Sequence, residues 1–547
     1  MAKKVLVVGG VAGGAACAAR LRRLDERAQI VIFERGPYVS YANCGLPYYV
    51  GGAIPHEHSL LVMTPELWRR RFNVEVRTSH EVVAIDRARR HIEVRDLARE
   101  RAYRESYDAL VLAPGAVPIR PDWPGSDLPG VFTLRTIPDG NAMRQWIEQQ
   151  QPRRAVVVGA GFLGLEMVEN LTRRGLRVTL LEKEPQVLPA LDFEMAQPAL
   201  AHLESQRVNV ELEACVSAVE AAHNGLLVKT DSGRSFPADM VVLALGVKPE
   251  TTLALQAGLE LGEAGGIRVD EAMRTSDPHI WAVGDAVEVR DWITGRYRLA
   301  ALAGLASRQG RIAADSICGR KARFRGAQLT AICGFFGFTA AMTGATEKVL
   351  RAAGWADYET IYLHPMHHAG YYPSAKRIHL KVIFSRSDGR LLGAQALGEE
   401  GVDKRIDVLA MAIQKRATVF DLEEAELAYA PQFGSARDPV NMAGMVAANV
   451  LRGDAVLAPW SELAGTDALL VDVREPEEFA RDHIEGAINI PLGELRQRLG
   501  ELPRDREIWL SCAVGERSYY ALRVLVQNGL RARTLSGGYV TYCGWNP

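Results

Sequence analysis

Two of the seven cysteines stand in settings that suit sulfur chemistry. Cys44 lies in SYANCGLPYY, and the position five residues on is Tyr49, so no second thiol follows at the spacing of an internal redox pair. A thiolate close to a helix start is stabilised, which lowers its pKa and makes it an attacking sulfur. With no second protein sulfur, its oxidised form is a sulfenic acid or a mixed disulfide with a small thiol. The flanks Asn43 and Gly45 also suit a small buried residue. Cys512 opens CAVGERS, where a turn of successive N–H groups, with Gly515 and the guanidinium of Arg517, cradles the sulfur. Such a cradle lowers the thiol pKa and holds a persulfide, Cys–S–SH. Cys17, Cys215, Cys318, Cys333 and Cys543 have no comparable neighbours and read as small apolar residues.

The elements that position these sulfurs begin with a repeated plan. Residues 4 to 34 read as strand KVLVV, loop GGVAGG, a helix, then strand QIVIFE; residues 154 to 182 read as RAVVV, GAGFLG, a helix, then RVTLLE. Each is a βαβ unit with buried, apolar strands. In the first loop, Gly9 allows the tight turn and Gly14 the close packing of helix on strand. A pyrophosphate then sits on the helix N-terminus, where free N–H groups favour negative charge. Val11 departs from the middle glycine of GxGxxG. Glu34 ends the next strand and can accept hydrogen bonds from a ribose. The second loop matches in full with Gly159, Gly161 and Gly164, and Glu182 ends its second strand, where an acid holds the ribose hydroxyls and disfavours a 2′-phosphate. Lys183 beside it leaves tolerance for NADPH, but NADH is preferred. Two such units imply two dinucleotides bound side by side.

Length and composition frame this reading. A chain of 547 residues is too long for one core and suggests about three or four domains. Hydrophobic residues at 48% and charged residues at 24% are ordinary globular values. With 65 Lys and Arg against 66 Asp and Glu, broad electrostatic binding of nucleic acid or membrane is not expected. An odd number of scattered cysteines with no CxxC pair argues against a disulfide framework or a zinc site, so no metal is expected and a reduced compartment fits. Lys3 and Lys4 before Val5 to Ala19 mimic a signal peptide, but a first strand and its phosphate loop explain the segment better. No apolar stretch approaches the ~18 residues of a membrane span, and a soluble, cytoplasmic protein is expected.

On these motifs the chain resembles the flavoprotein disulfide reductases that bind two dinucleotides, which implies FAD in the first site and NAD(P)H in the second. Leu112-Ala113-Pro114-Gly115 looks like their domain-crossing segment. Trp281-Ala282-Val283-Gly284-Asp285 looks like their second FAD motif, whose Asp285 meets the ribitol. The implied architecture is α/β. Its FAD-binding domain spans 1–112 and 247–324, an NAD(P)H-binding domain 113–246, and both are Rossmann-like. An α+β dimerisation domain follows at 325–451, a linker at 452–462 and an α/β unit at 463–547.

Within that superfamily, VSYANCGLPYYVGG, HHAGYYPSA and YAPQFGSARDPVN closely resemble coenzyme A disulfide reductases. The resemblance implies that Cys44 pairs with coenzyme A as Cys–S–S–CoA, its thiolate further stabilised beside the flavin. It also implies that Tyr371 and Tyr429, from the partner subunit of a homodimer, donate protons near the sulfurs. It adds Ser40, Asn43 and Arg437 as CoA contacts, joined by Arg20 and Arg23, which lie one turn apart on the first helix. LLVDVREPEEF, HIEGAINIP and CAVGERS resemble a single rhodanese domain, with Asp472 and Arg474 bracing the loop. Together these features are similar to fused CoA disulfide reductase–rhodanese proteins, also described as NADH-dependent persulfide or polysulfide reductases. The implied substrates are CoA disulfide, CoA persulfide or polysulfide. Two alternatives remain at this point. One is an NADH oxidase or peroxidase that works through a Cys44 sulfenic acid, a class whose loop histidine is replaced here by Ala12. The other is a sulfurtransferase relay protein.

Overall fold

The computed structural model describes residues 2–545. The chain forms two compact units, one running to Lys183 and resuming over Val208–Leu329, the other made of Glu184–Arg207 and the chain from Thr330 onward.

Five parallel strands make the first sheet of the first unit, in the order β10 (Ile280–Ala282), β4 (Ala109–Leu112), β1 (Lys4–Val8), β2 (Gln29–Glu34) and β3 (Glu75–Thr78). Val5, Leu6 and Val7 are fully buried, because helices cover both faces of a parallel sheet. Among these helices, α1 (Ala12–Leu24) packs on α4 (Ala303–Ile317). The second sheet repeats the design, in the order β8 (Asn209–Glu211), β7 (Arg177–Leu181), β6 (Arg154–Val158), β9 (Met240–Leu243) and β5 (Val131–Phe132). The register repeats as well. Lys4 faces Gln29 and Val5 faces Ala109 in one sheet; Arg154 faces Arg177 and Ala155 faces Met240 in the other. Helix α3 (Phe162–Arg173) follows the second glycine loop as α1 follows the first. The strand β10 carries the chain back into the first sheet after the second is complete.

The second unit contains an antiparallel sheet in the order β11 (Ala331–Phe335), β12 (Phe338–Gly344), β15 (Leu391–Gly398), β14 (Ile378–Phe384) and β13 (Glu359–Leu363). Helix α5 (Val402–Gln414) lies on β12 and β15. Lys381 in β14 is fully buried, with Nζ 2.8 Å from Asp192, 2.5 Å from Glu194 and 2.6 Å from Glu347. These three carboxylates lie within 4.8 Å of one another, a separation that also suits a metal. Here the ammonium ion sits among them, so they form a buried ion cluster. After helix α6 (Pro439–Leu451) comes a parallel sheet of β17 (Ile488–Asn489), β16 (Leu469–Asp472), β18 (Ile508–Ser511) and β19 (Ala532–Thr534), packed by α7 (Glu516–Gln527) and closed by α8 (Gly538–Trp545). Backbone N–H of Tyr362 donates to Ser536 Oγ at 2.9 Å, and His364 Nε2 lies 2.8 Å from Thr541 Oγ1, joining the two sheets. This is the α/β architecture with an α+β sheet and a C-terminal α/β unit that the sequence implies.

Candidate active site

A cavity of about 440 Å³ opens at the C-terminal ends of the first sheet, lined among others by Gly9, Val11, Glu34, Cys44, Arg135 and Asp285. That is where an open parallel sheet binds its ligand. Both glycine loops take the same shape: Gly9 has φ +91° and Gly159 φ +104°, a left-handed conformation that L side chains resist. A Cβ at Gly14 would lie 1.9 Å from the Gly9 carbonyl oxygen, and one at Gly164 equally 1.9 Å from that of Gly159. Gly161 has open space beside it, and Val11 takes the equivalent place in the first loop. The two strand-end acids also match. Glu34 accepts from the N–H groups of Gly10 and Gly36, each at 3.0 Å; buried Glu182 accepts from that of Ala160 at 2.6 Å. Burial pushes the Glu34 carboxyl up against the pull of those N–H groups.

Cys44 is the only cysteine among the residues lining the cavity. It sits exposed in a single 3-10 turn, Asn43–Gly45, that leads into α2 (Leu46–Gly51). Asn43 Oδ1 accepts from the Cys44 N–H at 3.1 Å and lies 3.7 Å from its sulfur. Tyr49, where a second cysteine would stand, is buried and donates to Asn141 Oδ1 at 2.8 Å. Arg135 pairs with Asp285 at 2.7 Å on the same wall. The expected fall in the Cys44 pKa is not produced by the protein's own groups. Burial pushes the thiol up, Glu166 adds to this, Arg135 opposes and Asp285 adds again.

The residues expected around coenzyme A disperse. Ser40 is buried with φ 49°; its hydroxyl donates to the Gly10 carbonyl at 2.9 Å and accepts from Trp68 Nε1 at 3.0 Å. That hydroxyl therefore anchors the glycine loop. Arg20 makes two hydrogen bonds to Asp315 of α4, at 3.0 and 2.8 Å, so its charge is already balanced. Arg23 is exposed on α1, and Asn43 is on the cavity wall. Arg437 is exposed and lines a different cavity, within the second unit. Tyr371 and Tyr429 come together across 58 residues of sequence, their hydroxyls 2.9 Å apart, 77% and 48% exposed. Two aromatic hydroxyls held out toward solvent are not packing residues of this unit.

At the C-terminal sheet, Cys512 is buried at the end of β18. The Gly515 N–H donates to its sulfur at 3.2 Å, and the thiol faces Ser518 Oγ at 3.6 Å. Gly515 has φ +94° and starts α7. The Arg517 guanidinium is bonded to Glu478 at 2.6 and 2.8 Å, and it also interacts electrostatically with Cys512. Glu478 and Ser518 are site residues that spacing alone did not reveal. Asp472 and Arg474 form a buried pair at 2.7 Å, with Arg474 also bonded to the Asp482 carbonyl.

Residues 3–310 match the family model for pyridine nucleotide-disulphide oxidoreductases, 330–439 the dimerisation domain of the same family, and 460–544 a rhodanese-like domain. The chain belongs to the pyridine nucleotide-disulphide oxidoreductase family. The coenzyme A disulfide reductase of Staphylococcus haemolyticus (strain JCSC1435) is 36% identical over 449 residues, covering 81% of this chain and 98% of the relative. The crystal structure of reduced Bacillus anthracis CoADR-RHD superposes with a TM-score of 0.97 at 44% identity, covering 100% of this chain and 98% of that one. A NAD-dependent persulfide reductase from A. fulgidus gives 0.92 at 39%, over 98% and 100%. The oxidoreductase match takes in both glycine-loop sheets, the dimerisation match takes in the antiparallel sheet with Tyr371 and Tyr429, and the rhodanese-like match contains Cys512. No helix among the described residues is long and apolar enough to cross a membrane.

Proposed function

We propose that this chain is an NADH-dependent flavoprotein that reduces CoA disulfide, CoA persulfide or polysulfide, with coenzyme A as the redox mate of Cys44 and Cys512 as a carrier of sulfane sulfur. The observation that carries this reading is that Cys44 lines the first cavity without a second cysteine, its usual partner position being filled by Tyr49. The names of the relatives above support it.

The first cavity fits FAD: a left-handed glycine turn, N–H groups at the start of α1, Glu34 for a ribose and Asp285 at the far wall. Bound there, a flavin supplies the two-electron step between a nicotinamide hydride and a sulfur. The second loop fits NADH, with open space at Gly161 and Glu182 at the strand end. The Cys44 thiolate attacks one sulfur of a CoA disulfide, forming Cys44–S–S–CoA and releasing a CoA thiolate, to which Tyr371 and Tyr429 deliver a proton. Reduction of the mixed disulfide by two electrons returns the Cys44 thiolate and frees the second CoA. Cys512 hands sulfane sulfur to or from that centre.

The domain limits follow the sequence reading: FAD-binding at 1–112 and 247–324, NAD(P)H-binding at 113–246, dimerisation at 325–451 and rhodanese at 463–547. A homodimer is inferred from the dimerisation match and from exposed Tyr371, Tyr429 and Phe433. Seven free cysteines favour the cytoplasm.

Intact-protein mass spectrometry tests the central claim. A CoA adduct on Cys44 that NADH removes is expected, whereas a gain of one oxygen would move the protein to the oxidase or peroxidase class. Cys512→Ser is expected to slow polysulfide turnover more than CoA disulfide turnover, and equal turnover of polysulfide would discard the relay.

A further inference from the structure

The second unit holds a cavity of about 520 Å³, a size suited to a small organic ligand. One wall comes from the antiparallel sheet and α6, including His364, Arg377, Met442 and Val446; the other is the loop that carries Cys512, through Val514, Gly515 and Glu516. Since Gly515 N–H donates to the Cys512 sulfur at 3.2 Å, that sulfur is one hydrogen bond from the wall.

Two buried polar atoms of wall residues have no hydrogen-bond partner among the described residues: Nη1 of Arg377 and Nδ1 of His364. His364 is 8% exposed, and its Nε2 is 2.8 Å from Thr541 Oγ1. Arg377 Nη1 is a donor, and His364 Nδ1 is left without a partner in either ring tautomer. Burial pulls the Arg377 guanidinium down, with no neighbouring carboxylate to compensate, and holds His364 well below its usual range. A guanidinium nitrogen left without a partner in a residue that lines a cavity is an arrangement that an anion completes.

The guanidinium of the loop itself is not free, and the other cation on the wall, Arg437, is exposed beside Tyr520. Arg517 is closed onto Glu478 by two hydrogen bonds, and Glu516 adds a negative charge on the cavity wall, bonded to Tyr520 at 2.7 Å. Thiosulfate carries its charge on the outer sulfur it gives up and on the oxygens of the adjoining sulfonate, two bonds away, and so needs cations close to the loop. A persulfide whose carboxylate lies several bonds away instead spans the apolar middle of the cavity and reaches Arg377.

We propose that this cavity is where Cys512 exchanges sulfur with the persulfide of a carboxylate-bearing organic thiol, the carboxylate held by Arg377. The inference rests on the reading of Cys512 as a sulfane-sulfur carrier. In the transfer, the Cys512 thiolate attacks the outer sulfur of R–S–SH. A Cys512 Sγ–S bond forms, the inner S–S bond breaks, and the electron pair leaves on R–S⁻, which takes its proton from water; no outside oxidant or reductant is consumed.

The test uses the full chain and mass spectrometry of the Cys512 peptide, following the gain of one sulfur atom from glutathione persulfide, hydroxyethyl persulfide and thiosulfate. Glutathione persulfide is expected to load Cys512 with a kcat/KM about tenfold above hydroxyethyl persulfide, which lacks the carboxylate, and thiosulfate is expected to load more slowly than either. Arg377→Gln is expected to erase the preference through KM, and Arg377→Lys to restore part of it; loading by hydroxyethyl persulfide reports that each variant is folded. Equal loading by the two persulfides, a preference unchanged in Arg377→Gln, or loading by thiosulfate as fast as by glutathione persulfide overturns the proposal. Gain of sulfur from none of the three would overturn the carrier reading itself, and CoA disulfide turnover at Cys44 is scored separately.

Discussion

The charges around Cys44 set how readily its thiol ionises. Burial is the largest influence and Glu166 the next, and both push the pKa up; Arg135 opposes them while itself paired with Asp285 at 2.7 Å, which cancels much of its field. Glu166→Gln removes a negative charge and is expected to lower the Cys44 pKa. Alkylation by iodoacetamide near neutral pH is then expected to speed up severalfold, because a lower pKa raises the thiolate fraction. Arg135→Gln is expected to slow it, and equal rates in both variants would show that neither field reaches the sulfur. The Cys512 loop carries a charge effect of opposite sign. Hydrogen bonds from Arg517 hold the Glu478 carboxyl at about 2, below its ordinary 4.5. A depressed carboxylate contributes stability above its unfolded pKa and loses it as the pH falls through the folded one. The brace on the loop is therefore full above pH 4.5 and lost toward about 2. A fluorine label placed at Tyr520 and read by NMR is expected to show that transition in the native chain and to lack it in Glu478→Gln.

At the scale of elements, the two strand–loop–helix units differ at one informative place. Gly14→Ala would drive a Cβ to within 1.9 Å of the Gly9 carbonyl oxygen, so α1 must shift off its strand, and loss of both stability and bound flavin is expected. Gly161→Ala meets open space at a φ of -75°, which alanine adopts without strain, so the fold is expected to survive. The added methyl still occupies the approach to the helix start, and a rise of about tenfold in the KM for NADH with an unchanged melting temperature is the expected signature. Both loops were legible in the sequence because their constraints are local: a left-handed glycine, a close approach five residues later, an acid at the end of the next strand. Long-range pairing was not legible. Arg20 and Arg23 share a helix face by spacing, yet Asp315, 295 residues away, takes Arg20, and nothing near Arg20 announces it. Ser40 matched a motif, but its hydroxyl points inward to Gly10 and Trp68. Arg517 reads as part of a sulfur cradle, and nothing near it announces its partner Glu478, 39 residues earlier.

For the whole molecule, the placement of the tyrosines is the decisive question. Tyr371 and Tyr429 share one hydrogen bond at 2.9 Å, and this bond pushes the Tyr429 hydroxyl pKa up. Groups that act as a unit lose their effect together, so Tyr371→Phe and Tyr429→Phe are each expected to cut kcat for CoA disulfide about tenfold or more, with the double variant little worse than either. If the pair serves Cys44 of the other subunit, as the resemblance implies, complementation separates the arrangements. A Cys44→Ser chain keeps its tyrosines, and a Tyr371→Phe, Tyr429→Phe chain keeps its cysteine. Random pairing of equal amounts makes about half the dimers mixed, and each mixed dimer then has one complete site out of two, giving about a quarter of wild-type activity. If cysteine and tyrosines act within one subunit, no dimer in the mixture has a complete site, and activity stays at the level of the inactive parents. Co-expression with two affinity tags, isolation of the mixed dimer and assay with NADH and CoA disulfide measure this directly; activity no higher than that of the parents would retire the cross-subunit site.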